Sequence, residues 1–167
     1  MSDATATRPD PRPTVYVETS VISYLASQPS SDLIVRGHQK STTELWARRG
    51  EIVAYVSPLV KVEAAEGDPL MVAKRLALLA QLPMLDVPPT ADRLAAALLR
   101  NGPLPRKAEN DAVHIAVAAV GGMEYLITWN LKHIANPAMR RRIEEICRAN
   151  GVEPPILCTP EELKESL

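Results

Sequence analysis

From Thr14 onward, short β-branched runs alternate with longer stretches in which apolar residues return at helical spacing. The run TVYVE beginning at Thr14 predicts a strand. Thr19 and Ser20 then offer N-capping hydroxyls before a helix whose apolar positions are Val21, Ile22, Tyr24 and Leu25. Between Ser31 and Arg49, Leu33, Ile34, Leu45 and Trp46 are set among charged residues, which predicts an amphipathic helix ending at Gly50. IVAYVS predicts a second strand, and the proline after it suits the first turn of the helix LVKVEAAEG, closed by Gly67. Leu and Ala recur at helical spacing from Pro69 to Leu82, MLDV predicts a third short strand, and Ala91 to Arg100 a helix stopped by Asn101-Gly102. After the loop GPLPRK come a helix over Ala108 to Val120, a fourth strand in YLITW, and a helix from Pro137 to Asn150-Gly151. A short strand, ILC, and a helix opened by a capping box of Thr159 and Glu162 end the pattern.

Strands that alternate with helices imply an α/β fold with a mainly parallel sheet covered on both faces, because parallel neighbours need crossover connections. Sites in such folds gather beyond the carboxyl ends of the strands. The 167 residues are 46% hydrophobic and 23% charged, enough for one continuous core. We therefore expect one domain over residues 14–167 after a leader, 1–13, that reads as disordered. The 15 prolines outnumber the 7 glycines and fall between periodic segments, so they read as element boundaries. Phenylalanine is absent and aromatics are 4%, which leaves Leu, Val, Ile and Ala to fill the core; no aromatic platform for stacking bases is evident.

A net charge of −1 excludes a strongly basic coat, so any nucleic-acid contact must be local. Cys147 and Cys158 lack metal-ligand spacing, which argues against a disulfide framework or structural zinc and fits a reducing cytoplasm. No run approaches the roughly 18 apolar residues of a membrane span, so no membrane partner is expected.

Four polar positions stand where strands give way to helices. Glu18 follows the first strand, either as an exposed turn carboxylate or as an acid held by a cation or hydrogen-bond donors. Glu63 lies on the helix after the second strand, flanked by Val60, Val62, Ala64 and Ala65; Glu66 and Asp68 compete with it but adjoin the exposed end at Gly67. Asp111 leads an otherwise apolar helix, where it is a functional acid or a partner of the helix dipole, and His114 follows one turn later in a supporting position. Thr128-Trp129-Asn130 ends the YLIT strand and puts an amide at another carboxyl end, as a turn residue or as a donor of a carbonyl oxygen to a hard cation. His133 is nearby, but three scattered histidines do not make a zinc site.

Taken together, Glu18-Thr19-Ser20, Glu63, Asp111 and Asn130 resemble the ordered acidic motifs of the PIN-domain family, over about Thr14 to Thr159. The segment DAVHIAVAAVGGMEYLITWNLKHIANP is similar to a VapC-like subgroup carrying ITWN and KHIAN. The resemblance implies a three-layer fold and a metal-dependent endoribonuclease, the toxin of a toxin-antitoxin pair, cleaving RNA to leave a 5′-phosphate and a 3′-hydroxyl. It implies Mg²⁺ or Mn²⁺ held by Glu18, Glu63 and Asp111, with Asn130 positioning water or ligating directly. Thr19 or Ser20 would steady the Glu18 carboxylate, with His114 and Thr128 in further supporting positions. A cognate antitoxin and a homodimer are the partners it implies. RNA would be drawn in by Arg106, Lys107 and Lys132, whereas Arg140-Arg141-Arg142 precedes Glu144 and Glu145 and reads as a solvated, paired helix face.

Two departures distinguish this chain. Glu18 replaces the commoner Asp, and Asn130 replaces the usual fourth acid, which lowers the charge available for a second metal. That loss opens an alternative, a PIN-fold module that binds RNA or protein with little catalysis. A nucleotide-binding or phosphatase reading lacks its signatures: no GxGxxG or GxxxxGK[ST] loop follows a strand.

Overall fold

A computed structural model describes residues 10–167, so most of the expected leader lies outside the described residues. Strand β1 (Thr14–Val17) leads into helices α1 (Thr19–Ala26) and α2 (Leu33–Ala47), and a 3₁₀ turn brings the chain to β2 (Val53–Tyr55). Helices α3 (Pro58–Ala64), α4 (Pro69–Leu79), α5 (Pro89–Asn101) and α6 (Glu109–Val120) separate β2 from β3 (Tyr125–Ile127). Then α7 (Pro137–Ala149) crosses to β4 (Ile156–Cys158), and α8 (Pro160–Ser166) follows. Pro58, Pro69, Pro89, Pro137 and Pro160 each stand in the first turn of a helix, where a missing N–H costs nothing.

The strands form one parallel sheet in the order β2-β1-β3-β4, flanked by helices in a three-layer α/β arrangement. β2 lies to one side of β1 and β3 to the other, so the direction of winding reverses between β1 and β3. Such a reversal leaves a crevice at the carboxyl ends of the two strands. Val15, Tyr16 and Val17 of β1 and Leu126 and Ile127 of β3 are fully buried, as expected of strands with neighbours on both edges and helices on both faces. These residues belong to one core that runs from Val15 to Leu163.

Three expectations are corrected. No strand forms over MLDV: Met84 makes only an isolated parallel bridge to Val56, with Leu85 N donating to Val56 O, and Pro83, Pro88 and Pro89 on either side lack the donors that would extend the ladder. Thr19 and Ser20 do not cap α1 but form its first residues, and the Glu18 carboxylate is the cap, accepting from Ser20 N at 3.1 Å. Leu33 and Ile34 are 79% and 72% exposed, and only the later part of α2, through Thr42 and Leu45, reaches the core.

Asp32 caps α2 through bonds from Ile34 N (2.8 Å) and Val35 N (3.1 Å). Asp32→Ala is expected to lower stability in urea by about 1 kcal/mol, since two backbone donors lose their acceptor. An unchanged midpoint would show that this first turn contributes nothing. Both cysteines are buried and free, and burial pushes the Cys147 thiol up to about 11 and that of Cys158 up to about 12. Neither should react with an aromatic disulfide reagent at pH 8 until denaturant is added; prompt labelling of the native protein would contradict this packing.

Candidate metal centre

β1 and β3 end side by side, with Val17 paired to Ile127 and Glu18 N donating to Ile127 O at 3.1 Å. This register brings Glu18 out of one strand next to Thr128, which emerges from the other. Because Glu18 is the helix cap, the hydroxyls of Thr19 and Ser20 are left to bind side chains. Ser20 Oγ and Thr128 Oγ1 both donate to Glu18 Oε2, the second at 2.7 Å, together with Ser20 N. All of these bonds fall on one oxygen. His114 Nε2 stands 3.9 Å from the other, Oε1. Glu18 is 7% exposed, so its carboxyl group is largely removed from water.

Glu63 arrives from α3 and is equally well held. His114 Nε2 donates to its Oε2 at 2.9 Å, Thr19 Oγ1 donates to the same oxygen, and Asn110 Nδ2 donates to Oε1 at 2.9 Å. Burial pushes the Glu63 carboxyl up, but the hydrogen bond and charge of His114, with the bonds from Thr19 and Asn110, outweigh it and hold the group below the usual Glu value.

Behind this pair lies a buried relay. Tyr16 Oη is 2.8 Å from His114 Nδ1 and 2.7 Å from Ser57 Oγ, and all three side chains are almost wholly buried. Burial drives the Tyr16 phenol well above its ordinary value, so it keeps its proton. Tyr16 can donate to Nδ1 and accept from Ser57, or accept from Nδ1–H and donate to Ser57. The first arrangement fixes Nε2–H as the donor to Glu63, and the second can free Nε2 to act as a ligand.

Ligand atoms of Glu18, Glu63 and His114 all lie within 4.8 Å of one another. Two carboxylates and an imidazole that can turn its lone pair inward form a donor set that could hold a divalent cation. Asp111, expected as the third ligand, stands in the first turn of α6 outside this group of three, with both carboxylate oxygens already engaged. Asn130 Nδ2 donates to its Oδ1 at 3.0 Å and His133 Nδ1 to its Oδ2 at 2.6 Å, while Asn130 Oδ1 accepts from His133 N at 3.0 Å. Two routes connect Asp111 to the cluster. Asn130 N donates to Thr128 Oγ1, which holds Glu18, and the neighbouring Asn110 holds Glu63.

The fold thus brings Glu18 and Glu63 together; Ser20 and Thr128 bond Glu18, whereas Thr19, the other hydroxyl expected to steady Glu18, bonds Glu63. His114, expected only to support, is itself within ligand distance of both acids. Tyr16, Ser57, Asn110 and the contact of His133 with Asp111 were missed. Tyr16 and Ser57 look like an ordinary strand residue and a residue preceding a helix; only the position of Asn110 beside Asp111 carried any signal. Arg106, Lys107 and Lys132 are exposed. Arg141 and Arg142 pair with Glu145, and Arg140 with Glu162, as expected of a charge-matched helix face.

No protein-family model and no curated protein matches the sequence. No helix among the described residues is long and apolar enough to cross a membrane.

Proposed function

We propose that this chain is a metal-dependent endoribonuclease of the PIN type, hydrolysing RNA phosphodiester bonds as the toxin of a toxin-antitoxin pair. The observation that carries the reading is the convergence of Glu18 and Glu63 on one crevice, where the winding of the sheet reverses. Glu18, Glu63 and Asp111 would hold Mg²⁺ or Mn²⁺, with His114 at hand as a further donor. An ion of this kind, when bound, makes a water more acidic and offsets negative charge on phosphoryl oxygens.

The protein's own groups supply the rest. Ser20 and Thr128 fix Glu18 by one oxygen. Thr19, Asn110 and His114 fix Glu63. Asn130 and His133 clamp the two oxygens of Asp111, so its direction is set before substrate arrives. Arg106, Lys107 and Lys132 would draw phosphates toward an acidic centre that otherwise repels them.

The test is cleavage of single-stranded RNA in Mg²⁺ or Mn²⁺, with Asp111→Asn as the control. Metal-dependent products carrying 5′-phosphates, lost in a folded variant, are expected. Manganese located by anomalous scattering away from Glu18, Glu63 and Asp111 would defeat the assignment. A second reading, a binding module with little catalysis, is favoured by one contact: Asn130 gives Asp111 an amide donor where a fourth acid would give charge. RNA bound without turnover in any divalent ion is its signature.

A further inference from the structure

Folding gathers three aromatic side chains beside the acidic crevice, from positions too far apart in the chain to suggest a platform. His38 of α2 stacks on Trp129, with ring centroids 4.0 Å apart and planes inclined by 14°. Tyr24 of α1 stands obliquely to both, its centroid 6.1 Å from His38 and 6.2 Å from Trp129. The absence of a stacking platform expected from composition is therefore corrected.

Trp129 is anchored at two points. Its Nε1 donates to Thr42 Oγ1 at 2.7 Å, and its backbone N donates to Ser20 Oγ at 2.8 Å, the same hydroxyl that bonds Glu18. The stack is thus tied to the acidic centre through a single serine. Tyr24, His38 and Trp129 are each half-buried residues, with Trp129 packed on its inner side against the core. Tyr24 also forms one wall of a groove of about 320 Å³ between α1 and α2, lined further by Pro29, Arg36, Lys40, Thr43 and Glu44. Arg36 is an exposed cation on that groove, Lys40 stands 3.7 Å from the Glu44 carboxylate, leaving one net positive charge among the three, and Lys132 follows Trp129 by three residues. In a protein with net charge −1, cations next to stacked rings favour a ligand with negative charge and flat, unsaturated faces.

We propose that this face binds a single-stranded RNA segment flanking the scissile phosphate. An unpaired base extends the His38–Trp129 stack, and the sugar-phosphate chain runs into the α1–α2 groove past Arg36 and Lys40. A base within a duplex has both faces occupied by its neighbours, so the stack selects unpaired nucleotides. Stacking on ring faces tolerates any base, and the preference it confers is for single-strandedness over sequence. The inference rests on the nuclease reading for its choice of RNA, but the binding it describes needs no metal.

The test is titration at low salt, in chelator, of a Trp46→Phe protein in which Trp129 is the sole tryptophan. The probes are a short single-stranded oligoadenylate, an abasic ribose-phosphate oligomer of equal length, and a duplex. The oligoadenylate is expected to quench Trp129 fluorescence and to bind about tenfold more tightly than the abasic oligomer, the value of roughly one stacked base. The duplex should leave the fluorescence unchanged. His38→Ala should remove most of that tenfold preference; the His38 carbonyl, not its ring, accepts the Thr42 hydroxyl, so the anchor of Trp129 survives. Tyr24→Leu, on the neighbouring helix, provides a second, independent loss. Equal affinity for the abasic oligomer, or unchanged binding in both variants, would overturn the proposal. Base-dependent quenching with no cleavage on adding Mn²⁺ would sink the nuclease reading and leave the stacking face standing. Cleavage without base-dependent binding would do the reverse.

Discussion

Under the proposed nuclease reading, Mn²⁺ stabilises the protein against heat, and Glu63→Gln is expected to remove that stabilisation and to lower RNA cleavage by about a hundredfold or more, while the metal-free variant still folds. The fold should survive because every donor to Glu63 can be accommodated. A glutamine carbonyl oxygen can take the bonds from Thr19 and His114, and the partner of the other oxygen, Asn110, is exposed and free to turn its amide around. What is lost is one of two full negative charges facing the cluster. A bound ion stabilises the folded state by about 2.7 kcal/mol at a hundred times its dissociation constant, a shift readily seen in a melting curve. Loss of several kcal/mol of transition-state charge stabilisation corresponds to at least about two powers of ten in rate.

The pH dependence of the metal-free proteins gives a separate check. Glu63 is held below its ordinary value in the folded state, so its carboxylate stabilises the fold above the unfolded-state value near 4.5. That contribution is lost as pH falls through the lower folded value. Without metal, the wild type should therefore be the more stable protein at neutral pH, and the gap should narrow on acidification. A variant that keeps the full Mn²⁺ shift would show that the ion, if bound, is held elsewhere.

The fold was legible because most of its elements carry local signals. Pro58, Pro69, Pro137 and Pro160 mark helix starts in the sequence, and the structure opens a helix at each. Parallel pairing followed from the alternation of strands and helices, and with it the end of the sheet where acids should gather. MLDV misled because strand propensity is local whereas a ladder needs backbone donors, which the neighbouring prolines remove. At the site, Glu18 and Glu63 could be found because a carboxylate between apolar runs is conspicuous. His114, read as a supporting residue, bonds Glu63, but its partners could not be named from the sequence, because Tyr16 and Glu63 come from a different strand and helix. The aromatic group was invisible for the same reason. Tyr24, His38 and Trp129 have unremarkable sequence neighbours and meet only once α1, α2 and the β3 end are assembled.

The relay behind Glu63 carries the second large expectation. His114→Ala should destabilise the protein by about 3–5 kcal/mol, because it opens a cavity and strips a partner from Tyr16 and from Glu63 at once. Tyr16→Phe should cost less, about 1–3 kcal/mol, by leaving the buried His114 Nδ1 and Ser57 hydroxyl without their shared partner. The two effects should not add. Once the imidazole is gone, the Tyr16 hydroxyl has lost one of its two partners, so adding Tyr16→Phe to His114→Ala should cost clearly less than Tyr16→Phe alone. Urea unfolding of the two single variants and the double variant gives this coupling directly. Strict additivity would mean that Tyr16 and His114 contribute separately to packing, and that the hydrogen bond between them does not orient the ring toward Glu63. A coupling of 1 kcal/mol or more, about the net worth of one buried hydrogen bond, would mean that the Tyr16 hydroxyl holds the imidazole in place with Nε2 toward Glu63.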